Sequence, residues 1–142
     1  MTTFALDPKL EADTFTIAES ECNLLLLMND VRYPWCILVP KRANTQEIYQ
    51  LPRAEQIQLL TESSLLAETL MDEFILDKMN IGALGNVVSQ LHIHHVGRTT
   101  TDDAWPNPVW GHSAAKAYSV KQKTETTRQI AHPHLTELFN FR

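Results

Sequence analysis

The stretch Gln90-Leu91-His92-Ile93-His94-His95-Val96 sets three histidines among apolar residues, and no other feature constrains the fold as tightly. Read as a β-strand, it sends successive side chains to opposite faces. Gln90, His92 and His94 then line one face in a row, and Leu91, Ile93 and His95 point to the other. Burying imidazoles and an amide without partners or purpose is costly. Imidazole is also the side chain best suited to nucleophilic, acid–base or metal work near neutral pH.

The remaining chain surrounds this stretch with short strands and one long helix. A helix or turn is expected around Pro8–Ala12. Thr14–Ala18 alternates as a strand does. Cys22–Met28 is an apolar run of strand length, and Trp35–Val39 is another, stopped by Pro40. Asn29–Pro34 separates them with turn-forming residues. From Pro52 to about Asp77 the pattern is helical, with Pro52 in the first turn and Glu55 favouring the helix N-terminus. Leu59, Leu66, Leu70 and Phe74 form its core-facing stripe, with Ile57 and Leu60 beside it. Met79–Asn86 reads as a glycine-bearing turn. The histidine strand is expected from about Val87 to Val96, ended by Gly97 and Arg98. Thr99–Gly111 is a loop with two tryptophans, Trp105 and Trp110, too costly to leave in solvent. Ala114–Ile130 reads as helical, and the tail to Arg142 as a loop with a short amphipathic end.

With 142 residues, the chain suits one domain that buries roughly two-thirds of its unfolded surface. A formal net charge of -5 argues against general nucleic-acid binding, although a phosphate-bearing small ligand stays compatible through local dipoles. Cys22 and Cys36 show neither CxxC spacing nor a disulfide framework. No basic, apolar leader opens the chain, and no apolar run reaches the ~18 residues of a membrane span. The expectation is a reduced, cytoplasmic protein without a membrane segment.

Three chemistries compete for the histidine array. Two histidines at i and i+2 can ligate one metal ion, but zinc then needs ligands from elsewhere, with His95, His112, His132 and His134 the candidates. A neutral imidazole can instead attack phosphorus. A second one then hydrogen-bonds the phosphoryl or leaving oxygens, and the glycine-rich turn supplies backbone N–H groups. The third reading is a pair of satisfied structural histidines.

The motif Asn80-Ile81-Gly82…Gly85-Asn86…Gln90-Leu91-His92-Ile93-His94-His95-Val96…Arg98 resembles the signature of the histidine triad, or HIT, superfamily. Pro34-Trp35-Cys36-Ile37-Leu38-Val39-Pro40-Lys41-Arg42 resembles the strand that ends in Pro-Lys/Arg there. The Gln-x-His-x-His form, followed by Trp-Pro-Asn-Pro-Val-Trp-Gly, is similar to a bacterial subgroup of small HIT hydrolase-like proteins. The resemblance covers roughly Phe15–Gly111, the core of a single domain 1–142 in which 112–142 is a C-terminal extension. It implies an α+β fold with an antiparallel sheet of about five strands and two main helices. It also implies a homodimer, and nucleotidyl hydrolysis or transfer through a nucleotidyl-histidine intermediate. No metal or other cofactor is implied. Substrates such as dinucleoside polyphosphates or nucleoside phosphoramidates follow from it, with a non-catalytic nucleotide-binding regulatory protein as the alternative.

Two registers fit the motif. In one, Gln90, His92 and His94 are its first, middle and last positions; in the other, His92, His94 and Val96 are. The first is preferred, because it sets Gly85 and Asn86 at the Gly-Gln position and keeps a polar last residue. The resemblance then implies that His92 is the nucleophile, its other ring nitrogen donating to the Gln90 carbonyl. It gives His94 a phosphate or leaving-group oxygen. Asp30, Asn80, Gly85, Asn86 and Gln90 become substrate-binding positions, with Asp30 toward the ribose hydroxyls. His95 is read as a structural histidine on the rear face. Trp35 stands where many members carry another histidine, and Trp105 resembles a tryptophan that in some relatives reaches the partner's nucleotide site.

Overall fold

Leucine occupies both faces of the strand Asn23–Met28 (β2), so the sheet must be covered on two sides. The computed structural model describes residues 3–142. Helix α1 (Pro8–Asp13) is capped by Asp7 Oδ1, which accepts from Lys9 N at 2.8 Å. It runs into β1 (Thr14–Glu19), followed by β2 and β3 (Trp35–Pro40). Helix α2 (Arg53–Phe74) leads to β4 (Lys78–Gly82) and β5 (Ile93–Arg98). Helix α3 (Val120–Ile130), the single-turn α4 (Pro133–Thr136) and the two-residue β6 (Asn140–Phe141) complete the chain. Among the described residues, six strands form one sheet in the order β4-β5-β3-β2-β1-β6. Every paired neighbour is antiparallel.

The period-2 rule sorts the side chains of β2, β3 and β5 between two cores. Leu25, Leu27, Cys36, Leu38 and Ile93 join Leu59, Leu66 and Leu70 of α2 on the rear face. Leu24, Leu26, Trp35, Ile37, Val39 and Val96 form the front cluster with Leu10, Tyr33 and Val109. At roughly 25 cal/mol per Å², these two clusters are the main favourable term in folding. Ile130, Leu135 and Phe139 also enter the rear cluster, and β6 pairs with β1, so the C-terminal segment closes the core.

Several expected boundaries move. The strand begins at Ile93, not near Val87, and it includes Gly97 and Arg98. Residues 83–92 instead form a loop in which Leu91 N donates to Thr45 O and Gly85 takes a φ of 75°. Met79–Gly82 is not a turn but part of the edge strand β4, paired with β5 from Lys78↔Arg98 to Gly82↔His94. Gly97 is required for close approach: a Cβ there would meet Leu76 Cδ1 at 2.3 Å and Pro34 O at 3.2 Å.

Helix α3 starts at Val120, because Ser119 and Gln122 form a capping box there. Residues before it are held extended, with Val31 N donating to Lys116 O and Tyr118 N to Asn29 Oδ1. On α2 the stripe of Leu59, Leu66 and Leu70 is buried, whereas Ile57 and Leu60 are 58% and 69% exposed. The rest of the buried face is polar. Glu62 accepts from Ser20 Oγ, Asn23 Nδ2 and Gln58 Nε2, all within 2.9 Å. No helix among the described residues is long and apolar enough to cross a membrane.

Candidate active site

Strand β5 places His94, and the loop just before it His92, at a cleft of about 700 Å³ beside Trp35 of β3, a size usual for small-molecule sites. His92, His94, Trp35, Asp30, Gly85 and Asn86 all line it. The rings of His92 and His94 meet edge to face, with centroids 4.9 Å apart.

Each histidine is oriented by a different kind of partner. His92 Nδ1 lies 2.7 Å from the Gln90 carbonyl oxygen. A carbonyl only accepts, so Nδ1 carries a hydrogen, and in the neutral ring the lone pair is on Nε2. His94 Nδ1 accepts from Trp35 Nε1 at 3.0 Å. Burial pushes the His94 pKa down to about 3, and the neighbouring His92 and His95 push the same way. His94 is therefore neutral throughout the physiological range.

His95 faces the rear. Its Nε2 is 2.7 Å from Ser63 Oγ on α2 and its Nδ1 is 3.0 Å from Ile93 O. Both ring nitrogens are satisfied, and burial lowers its pKa to about 4. This is the placement expected of a structural histidine.

The expected substrate-binding positions divide. Gly85 and Asn86 line the cleft and are both exposed. Asp30 lies in the cleft but is already engaged: it accepts from Arg32 Nε at 3.0 Å and Nη2 at 2.9 Å, and from the backbone of Arg32 and Lys116. Burial alone would raise the Asp30 pKa, and these bonds outweigh it, so the carboxyl sits below its usual range.

Two of the expected positions, Gln90 and Asn80, do not line the cleft. The Gln90 side chain turns out of the cleft: its Oε1 accepts from Asp7 N and its Nε2 donates to Ala5 O. It ties the N-terminal segment to the histidine row, and only its carbonyl serves His92. Asn80 is not among the cleft residues. Its Oδ1 accepts from Arg98 Nη1 at 2.8 Å, because β4 runs beside β5 and presents Asn80 to that buried guanidinium.

Sequence reasoning missed three contributors. Arg32 reaches from Asp30 to Asp103 and Ser113 across the cleft mouth; its position inside the turn Asn29–Pro34 was the available signal. Lys9, Leu10 and Asp13 of α1 supply a wall. The loop tryptophan that lines the cleft is Trp110, edge-on to His94 with centroids 5.4 Å apart. Its Nε1 is buried without a protein partner among the described residues. Trp105 instead covers the Arg98 guanidinium at 5.6 Å. Arg98 holds this loop through Asp102 and the Asn107 carbonyl. Among the described residues, no group of three or more His, Cys, Asp or Glu side chains is arranged to hold a metal ion.

The fold has close counterparts of known structure. A histidine triad protein from Marinobacter aquaeolei is 45% identical, with a TM-score of 0.93 over 96% of this chain and 99% of that one. A histidine triad (HIT) protein from Sinorhizobium meliloti is 42% identical, with a TM-score of 0.88 over 92% and 96%. A histidine triad protein from Bradyrhizobium japonicum is 37% identical, with a TM-score of 0.88 over 91% and 96%. Among curated proteins, none matches the chain. The HIT domain family model matches residues 9–101. With the histidine row on the front of an antiparallel α+β sheet, these matches mean that the chain belongs to the histidine triad family.

Proposed function

We propose that this protein is a nucleotide hydrolase or transferase of the HIT type that works through a nucleotidyl–His92 intermediate. The observation that carries the reading is the His92 Nδ1 contact to the Gln90 carbonyl, 2.7 Å. It leaves the Nε2 lone pair free in the cleft. In the first step Nε2 attacks the α-phosphorus of a nucleoside phosphate. The N–P bond forms as the P–O or P–N bond to the leaving group breaks, and the leaving group takes that electron pair and a proton from solvent. In the second step water attacks phosphorus, the P–N bond returns its electrons to Nε2, and the water's proton goes to solvent. His94 hydrogen-bonds a phosphoryl oxygen in both steps. Backbone and side-chain donors at Gly85 and Asn86 serve the remaining oxygens. The base would lie against Leu10, Val109 and Trp110, the apolar part of the same cleft.

We also propose a homodimer in a reducing, cytoplasmic compartment. Its support is the edge strand β4 with exposed Ile81 beside Leu84 and Val87, and two free cysteines, one of them buried. Light scattering on the purified protein tests the dimer.

The function is tested by turnover of a panel of dinucleoside polyphosphates and nucleoside phosphoramidates by the wild type and by His92→Asn. Product formation lost in a variant that unfolds like the wild type supports the reading. Nucleotide binding without turnover by the wild type would establish instead a non-catalytic nucleotide-binding protein.

A further inference from the structure

His94 has a partner that dictates where its proton sits. The Trp35 indole Nε1 carries a hydrogen and offers no lone pair in the ring plane, so it can only donate. It donates to His94 Nδ1 at 3.0 Å. The ring hydrogen of neutral His94 is therefore on Nε2, which has no protein partner among the described residues and belongs to a ring lining the cleft. His92 is held in the opposite tautomer by a group that can only accept, the Gln90 carbonyl. Side by side, the rings present a lone pair and an N–H. That pairing matches a phosphoryl group, whose phosphorus is electrophilic and whose oxygens accept.

We infer that Trp35 is a positioning residue that holds His94 as a permanent neutral hydrogen-bond donor, so that His94 never delivers a proton to the leaving group. The inference rests on the functional reading above for its catalytic consequence, but not for the tautomer itself. Protonating His94 would put a second hydrogen on Nδ1, facing the indole N–H across the same 3.0 Å. The bond to Trp35 would have to break first. The indoles of Trp35 and Trp110 flank His94 with centroids at 5.7 and 5.4 Å, which leaves the ring little freedom to turn away. The other titratable groups in the cleft are His92, the Asp30–Arg32 pair and the Lys9–Asp13 pair. Cys36 and His95 lie behind the sheet. In the attack step, then, the new bond is His92 Nε2–P, the broken bond is that to the leaving group, and the leaving atom takes its proton from solvent. His94 keeps its Nε2 hydrogen throughout.

The test uses the ligand-free protein labelled with ¹⁵N-histidine. The expected spectrum shows His94 Nδ1 unprotonated and Nε2 protonated, and His92 with the reverse pattern. Trp35→benzothienylalanine removes only the N–H and keeps the ring shape; Trp35→Phe serves as a second variant. In both, His94 should become a mixture of tautomers, and kcat should fall about 3- to 10-fold with KM little changed, as for loss of one hydrogen bond. Two results would overturn the inference: wild-type His94 protonated on Nδ1, or a His94 spectrum unchanged in the benzothienylalanine variant. If no nucleotide is turned over by any form, the functional reading fails, while the two spectra still decide whether Trp35 sets the tautomer.

Discussion

Asp102→Asn is predicted to be the most damaging conservative change outside the cleft. Arg98 is 1% exposed, yet every arm of its guanidinium is occupied. Nε and Nη2 donate to the two Asp102 oxygens at 2.8 and 2.9 Å, Nη1 to Asn80, and Nη2 also to the Asn107 carbonyl. The same carboxylate accepts from the backbone of Thr99, Ala104 and Trp105. Removing its charge leaves Arg98 buried without a counter-ion and turns an amide N–H toward groups that only donate. Breaking a buried pair from one side costs about 3–5 kcal/mol, a large share of the ~5–15 kcal/mol by which a domain is stable. With a urea slope of about 1–3 kcal/mol per M, the midpoint should fall by about 2 M. Asn80→Ala, which removes one neutral acceptor from the same guanidinium, should cost about 1.5–3 kcal/mol. The pair also sets an acid dependence. The bonds from Arg98 and the loop backbone outweigh the opposing effect of burial and hold the Asp102 carboxyl below its usual range. Its contribution is thus present above about pH 4 and is lost as pH falls through the folded value. Urea unfolding followed by tryptophan fluorescence at pH 7 and pH 3 measures both effects. A loss under about 1 kcal/mol at pH 7 in Asp102→Asn would refute the argument that this buried ion pair anchors the tryptophan loop.

The rear and front histidines give a second pH signature. His94 and His95 have folded pKa values lowered to about 3 and about 4, below the ~6.5 of an unfolded histidine. The unfolded chain takes up these protons first, so stability should fall as pH drops from about 6.5 toward 4; a urea midpoint constant between pH 7 and pH 5 would contradict this. Gly97→Ala should destabilise by about 1–3 kcal/mol, the usual range for overpacking, because its Cβ would meet Leu76 at 2.3 Å and the Pro34 carbonyl at 3.2 Å; thermal unfolding checks it.

Much of the sheet was legible from alternation. In β2 and β3 every residue is buried except Met28 at the end of β2, and Asn23 is the one polar side chain among them; strand length with flanking turn formers identified both. The split of His92 and His94 from His95 follows from the same period, and the structure places His95 against Ser63 and the other two in the cleft. What escaped is what period 2 does not encode. Gly82 and Gly97 look like punctuation, yet each sits in a strand, Gly97 because Leu76 and Pro34 crowd it. The fate of Asn80 depends on β4 pairing beside Arg98, a contact between residues 18 apart. The choice between Trp105 and Trp110 turns on how the loop folds over Arg98, which no local pattern states. Gln90 reads as a substitution within a catalytic row, whereas its amide pairs with Ala5 and Asp7 more than 80 residues away.

The central claim is that His92, with its Nε2 lone pair free in the cleft, is the group that bonds to phosphorus. The direct measurement is mass spectrometry of protein quenched in acid-free conditions during turnover of an adenylated substrate, with the modified peptide sequenced. A nucleotidyl adduct is expected on His92 and is absent from His92→Asn. An adduct on His94 would contradict it and move the motif register by two residues.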